Sequence, residues 1–173
     1  MAIHKTIQDY RITFLSDSAL SIVFTSMVYS GGAHENYRVT TYNFELQPVG
    51  ELYLLTFFRG GCDYREILGL QSREALKRQT WERSLSSEQF ANLFDRDEFG
   101  KQWLVDGTTI KDKVDFTFSD EGLTLYFPPY QVAPFAFGSW EVTLPYYDLR
   151  EILRPNRLRQ LSIPNQNPSP ASG

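Results

Sequence analysis

The sequence predicts an α+β fold, a mainly antiparallel sheet with two or three helices packed on it. Three observations carry that expectation. Apolar residues alternate with a period of two near both ends of the chain, charged stretches with helical starts lie between, and hairpin-length turns join the strands.

Residues 1–9 are weakly patterned and read as the end of a helix. Tyr10, Ile12 and Phe14 then alternate with Arg11 and Thr13 in a short first strand that Ser16-Asp17-Ser18 turns. Ala19 to Ser30 is the longest strand signal. Leu20, Ile22, Phe24 and Val28 take one face, Val23, Met27 and Tyr29 the other, so both faces are expected to be largely covered. Gly31-Gly32 suits a tight reversal. The return strand, Glu35 to Leu46, puts Arg38, Thr40, Tyr42, Phe44 and Leu46 on one side. Pro48 to Glu51 reads as a turn and Leu52 to Phe58 as a further strand.

The middle of the chain turns helical. Asp63 with Glu66 forms a capping box for a turn over Tyr64 to Leu68. Ser72 caps a second helix reaching about Arg83, and Ser86 with Gln89 caps a third in which Phe90, Leu93 and Phe94 share a face. Asp95 to Gly107 reads as a polar connection holding Trp103 and Leu104. Val114, Phe116 and Phe118 begin a hairpin turned at Ser119 to Gly122. Leu123, Leu125 and Phe127 continue it as a half-buried strand until Pro128-Pro129 removes two ladder donors. Trp140, Val142 and Leu144 form the last strand, closed by Pro145. Asp148 with Glu151 caps a short helix from Leu149 to Leu153 that Pro155 ends. Residues 1–153 are taken as one domain, and 154–173, rich in Pro, Asn, Ser and Gln, as a flexible tail.

Composition narrows the function. The 173 residues include 15% aromatics and carry a net charge of −4. That balance and the absence of a basic stripe argue against nucleic acid. No apolar run approaches membrane-spanning length, and the first residues lack the apolar core of a signal peptide. One cysteine, Cys62, makes no internal disulfide.

Two motifs resemble a known family. Phe127-Pro128-Pro129-Tyr130 followed by Ala133-Pro134-Phe135-Ala136-Phe137-Gly138 and a strand ending at Pro145-Tyr146 is one. Tyr29-Ser30-Gly31-Gly32-Ala33-His34, followed by Asn43-Phe44-Glu45-Leu46, is the other. Together they resemble the extracytoplasmic domain of RsiV-type, lysozyme-responsive anti-sigma factors and PdaC-type peptidoglycan deacetylases, over roughly residues 18 to 153. The resemblance implies a location outside the cytoplasm and a ligand that is a lysozyme-like protein or a peptidoglycan fragment. Family members carry a longer segment before the first motif, so the N-terminal part is expected to be either trimmed or abbreviated here.

Chemistry-bearing residues are few. His34, at a glycine turn, reads as a ligand contact or base, or as a ring that fixes the turn. Asp95, Asp97, Gly100 and Asp106 half-match a calcium loop, but Phe99 stands where an oxygen ligand belongs, so no metal or cofactor is expected. Asp112 with Asp115 is a carboxylate pair of the kind chance supplies. The aromatic corner is the strongest candidate. Tyr130, Phe135 and Phe137, with Tyr29 and His34 of the first motif, are the expected ligand-binding residues, and no catalytic residue is assigned. The expected function is therefore a non-catalytic recognition or sensor module. A cell-envelope hydrolase using His34, or a structural accessory domain, is the alternative.

Overall fold

The computed structural model describes residues 5–29, 31, 35–91, 93–94, 97–111 and 113–164. They form two sheets and four helices, the α+β class with antiparallel sheets that the alternating runs predict. By contact the chain divides into two units. The first is drawn from residues 1–62, 115–125 and 143–173, the second from 63–114 and 126–142.

The first unit is built on a four-stranded sheet of order β1-β2-β3-β4, comprising β1 (Lys5–Leu15), β2 (Ala19–Tyr29), β3 (Asn36–Leu46) and β4 (Val49–Glu51). All pairs are antiparallel, with Tyr10 opposite Phe24 and Ile22 opposite Tyr42. A register shift between Ile12 and Phe14 brings Phe14 onto the covered face beside Ser21. β1 begins at Lys5, so residues 5–9 are strand and not the end of a helix. Nor is β2 covered on both sides. Ala19, Ser21 and Val23 are buried, whereas Phe24 and Val28 are exposed.

The covered face meets β5 (Phe116–Phe118), which opens a second sheet of order β5-β6-β7 with β6 (Gly122–Phe127) and β7 (Trp140–Pro145). Side chains tie the first sheet to β5. The Ser21 hydroxyl donates to Asn43 Oδ1 at 2.6 Å and accepts from the Phe118 amide at 3.0 Å, while Asn43 Nδ2 donates to the Phe116 carbonyl at 2.8 Å. The Thr13 hydroxyl donates to the Phe118 carbonyl at 2.9 Å, and Asp115 Oδ1 accepts from the Thr41 amide and hydroxyl, both at 3.2 Å. The buried Ser21 and Asn43 side chains thus both find partners, as a dry interior requires.

Other expectations change in this unit. Leu52 to Phe58 is not a strand: Leu54–Phe57 is a 3-10 turn, and only Phe58 pairs, in a bridge to Leu153. A short apolar run does not distinguish strand from helix by period alone. Here Phe57 is drawn inward onto Phe116 and Phe118, at ring distances of 6.0 and 5.5 Å. β6 is buried along its whole length, with the Thr124 hydroxyl bonded to that of Thr143 at 2.9 Å. The expected alternation therefore holds for β7 and not for β6.

α3 (Tyr146–Leu149) begins directly after Pro145, whose φ of −59° suits a helix entry, so Asp148 lies within its first turn and is not its N-cap. Tyr146 is buried, its hydroxyl donating to the Ser119 carbonyl at 3.0 Å. Burial, and then Asp120, push that phenol above its usual range. The chain from Arg154 to Pro164 is not an unpacked tail. α4 (Arg157–Gln160) follows Asn156 at φ 62°, and Leu161 and Ile163 are buried. Arg157 reaches Glu45 at 3.4 Å. Two apolar side chains and one paired arginine suffice to seat this segment, which its polar composition hides. Residues 165–173 lie outside the described residues.

The second unit holds α1 (Tyr64–Ser84) and α2 (Glu98–Gly107). α1 is one helix where two were expected. Asp63 caps it as predicted, its carboxylate accepting from the Glu66 amide at 3.1 Å, but Ser72 is a buried interior residue. Gly69 is kept inside the helix because a Cβ there would stand 2.9 Å from the Thr108 carbonyl oxygen. Ser86 does not open a helix either. Its hydroxyl donates to the Arg83 carbonyl at 3.0 Å, ending α1, and Glu88–Phe90 is a 3-10 turn.

Two predictions follow from the first unit. Asn43→Ala strands the Ser21 hydroxyl and the Phe116 carbonyl in a dry interior, and should lower unfolding free energy by about 2–3 kcal/mol in urea titration. Asp115 has its carboxyl pushed up by burial, against the pull of the Thr41 bonds and Arg38. A raised folded-state pKa contributes stability that is full below the unfolded value and lost as pH rises through the folded one. Asp115→Asn should therefore compare more favourably with wild type at pH 7 than at pH 3, read from urea midpoints.

Candidate functional site

The second unit carries an aromatic surface built by α2 and the proline corner between β6 and β7. The sequence from Asp97 makes the helix. The Asp97 carboxylate caps it by accepting from the Gly100 amide at 2.8 Å, Glu98 sits in the positive first turn, and Lys101 pairs with Glu98 at 2.7 Å. Residues four apart share an edge of a helix. Phe99 and Trp103 do so, edge to face at 5.3 Å. Leu104 and Gly107 are buried.

The corner begins where Pro128 and Pro129 stop β6. The Tyr130 amide donates to the Ala133 carbonyl at 3.1 Å and the Gln131 amide to the Pro128 carbonyl at 3.1 Å. This turn sets Tyr130 at φ 72°. For a bulky side chain the left-handed region costs on the order of 1–3 kcal/mol and persists only where surroundings impose it. Here α2 imposes it. Trp103 Nε1 donates to the Tyr130 carbonyl at 3.0 Å, and Gln131 Nε2 donates to the Gly107 carbonyl at 2.9 Å. Gly107 itself packs against the Gln131 carbonyl so closely that a Cβ would collide with its oxygen.

These ties join two ring pairs, Phe99 with Trp103 and Tyr130 with Phe135, through the Trp103 bond to the Tyr130 backbone. Phe99 is 70% exposed and Tyr130 55%, while Trp103 and Phe135 are half-buried. Tyr130 and Phe135 lie 5.4 Å apart. The structure therefore brings Tyr130 and Phe135 together at a partly exposed corner. Phe137 turns the other way. It meets Phe90 edge to face at 5.3 Å, and Phe90 and Phe94 in turn pack on the buried Trp140 at 6.2 and 6.0 Å. The Arg83 guanidinium lies 3.8 Å over the Trp140 ring, and burial there lowers its pKa. Phe137 is thus half-buried on Phe90, in a contact separate from the Tyr130–Phe135 pair.

Tyr29 ends β2 in the first unit, half-buried and paired in register with Lys5. His34 lies outside the described residues, as do Asp95, Arg96 and Asp112. What remains of the calcium-like loop is helix: Asp97 is spent on the cap, and Asp106 accepts from Gln102 Nε2 at 2.7 Å. Among the described residues no three of His, Cys, Asp and Glu gather as metal ligands, and no described helix is long and apolar enough to cross a membrane. The Cys62 thiol donates to the Arg59 carbonyl at 3.0 Å.

Sequence reading missed Phe99 and Trp103. Their spacing of four behind an Asp-Glu start was the available signal, but the stretch read as a polar loop.

The comparisons give this α+β chain a family. A family model described as "Protein of unknown function (DUF3298)" matches residues 56–147, more than half of the chain, and the chain belongs to that family. It is 25% identical over 148 residues to the peptidoglycan-N-acetylmuramic acid deacetylase PdaC of Bacillus subtilis (strain 168). That match takes in 84% of this chain but only 28% of PdaC. Two solved structures share the fold. A DUF3298 family protein from Pseudomonas aeruginosa PAO1 has a TM-score of 0.61 at 19% identity, covering 88% of this chain and 63% of that one. A DUF3298 member from Bacteroides fragilis has a TM-score of 0.60 at 21% identity, covering 91% and 57%.

Gly107→Ala tests the clamp. The added methyl meets the Gln131 carbonyl and Val132 Cγ1, the latter at 2.9 Å, and should cost about 1–3 kcal/mol. A change in Trp103 fluorescence is expected with it, because Trp103 is bonded to the same turn.

Proposed function

We propose that this chain is a non-catalytic recognition domain of the cell envelope, acting outside the cytoplasm, and that a peptidoglycan-type glycan lies along Phe99, Trp103, Tyr130 and Phe135. The observation that carries the proposal is two partly exposed ring pairs, Phe99 with Trp103 and Tyr130 with Phe135, whose backbones are tied together by the Trp103 and Gln131 side chains. Rings already held in place lose little conformational freedom on binding, so more of the contact energy remains as affinity. The Trp and Tyr in these pairs are the residue types that dominate binding hot spots. Support for a wall glycan comes from PdaC, whose name states that it acts on peptidoglycan N-acetylmuramic acid and a quarter of which this chain resembles.

A second reading keeps the surface and changes the ligand. Rigid aromatic anchors serve protein partners equally well, and the two sequence motifs resemble those of lysozyme-responsive sensors. A lysozyme-like protein is therefore the other ligand to try.

Calorimetric titration with soluble peptidoglycan fragments, and separately with a C-type lysozyme, tests both. Saturable binding to fragments is expected. Phe99→Ala and Tyr130→Ala, folded by circular dichroism, should each weaken it roughly tenfold, equivalent to about 1.4 kcal/mol. Binding to lysozyme alone that falls with the same variants would transfer the site to the protein ligand. Release of new products from the fragments would end the non-catalytic reading, and binding indifferent to both variants would remove this surface from the function.

A further inference from the structure

The outer face of the first sheet is apolar over the half that holds Leu15 and Leu20 and polar toward the Asn36 end, where Thr6, Gln8, Ser26 and Arg38 lie. Register places Tyr10, Ile12, Leu15, Leu20, Ile22, Phe24, Val28, Tyr42 and Phe44 together on it. Three of the rings form a line across three strands, Tyr10 to Phe24 at 5.9 Å and Phe24 to Tyr42 at 5.7 Å. Leu15 is 65% exposed, Tyr10 62% and Tyr42 47%. Cross-strand ring pairs stabilise a sheet, but they do not require such exposure.

Charge is nearly absent from this face. Arg38 is the one charged residue that β1 to β3 place on it, toward the Asn36 end of β3. Glu51, on β4 opposite Phe44, stands at the other end. The face thus carries a cation at one end, an anion at the other and rings between.

We propose that this face is the contact between two copies of the chain, packed sheet on sheet about a twofold axis that lies between the sheets and across the strands. Such an axis reverses strand direction. It lays β3 over its counterpart with the Arg38 end of one copy above the Glu51 end of the other. An isologous contact must be complementary to itself, and this pattern is: rings meet rings at the centre and each Arg38 meets a Glu51. Packed sheets keep strand directions within about 30° of each other, which preserves that alignment. The exposed rings and aliphatics amount to on the order of 600 Å², at the upper end for the largest patch of a monomer. Two such faces bury about 1,200 Å², where specific interfaces begin. An unrelated partner needs an apolar face of matching size; a second copy brings one with the charges already reversed.

Sedimentation equilibrium from about 1 to about 200 µM is the test, because self-association is a concentration effect. Wild type should show a monomer–dimer equilibrium within that range. Phe24→Lys should weaken it at least tenfold, and Tyr42→Lys, at a more exposed site, serves if Phe24→Lys does not fold. Arg38→Glu should also weaken it, and Arg38→Glu combined with Glu51→Arg should restore it, which a merely sticky surface would not do. A chain that remains monomeric throughout, or folded Lys variants that dimerise as wild type does, would overturn the proposal. So would a charge reversal without effect. Binding to peptidoglycan fragments is read separately, since none of these residues lies on α2 or the proline corner.

Discussion

The first unit depends on two polar side chains in a dry place. Ser21 and Asn43 are buried on neighbouring strands and bonded to each other, and between them they engage the Phe118 amide and the Phe116 carbonyl. Apolar contact alone tolerates sliding, whereas a buried donor without its acceptor is costly. A slip of one residue in β2 or β3 would send Ser21 or Asn43 to the outer face and leave β5 with open backbone groups. Register, the choice of covered face and the position of β5 are one decision, made by these bonds.

That decision has a consequence on the other side of the sheet. With Ser21, Asn43, Ala19, Val23 and Val39 turned inward, the larger residues Phe24, Tyr42 and Leu20 are committed to the outer face. The sheet therefore covers its more polar face and leaves its more apolar one open, the reverse of the arrangement burial would select in isolation.

In the second unit the controlling feature is close backbone approach. Gly107 lets α2 lie against the Gln131 carbonyl, and the Trp103 and Gln131 side chains then bond across that contact. The strain at Tyr130 is held by the same contacts that expose its ring.

By itself the sequence determined the strands with clean alternation, β2, β3, β5 and β7, the Asp63 cap, the turn at Ser119 to Gly122 and the aromatic corner with Tyr130 and Phe135. Each is a local matter: side-chain period, a cap's reach or a proline's missing donor acts within a few residues. Tertiary structure decided that Leu54–Phe57 coils toward Phe116, that α1 runs through Ser72, that Phe137 packs on Phe90, and that Leu161 and Ile163 anchor a polar segment. It also made a helix of the stretch after Asp97, placing Phe99 and Trp103 beside the corner. Those outcomes turn on which surface lies opposite, and contacts between residues far apart in the chain leave no period for a sequence to display.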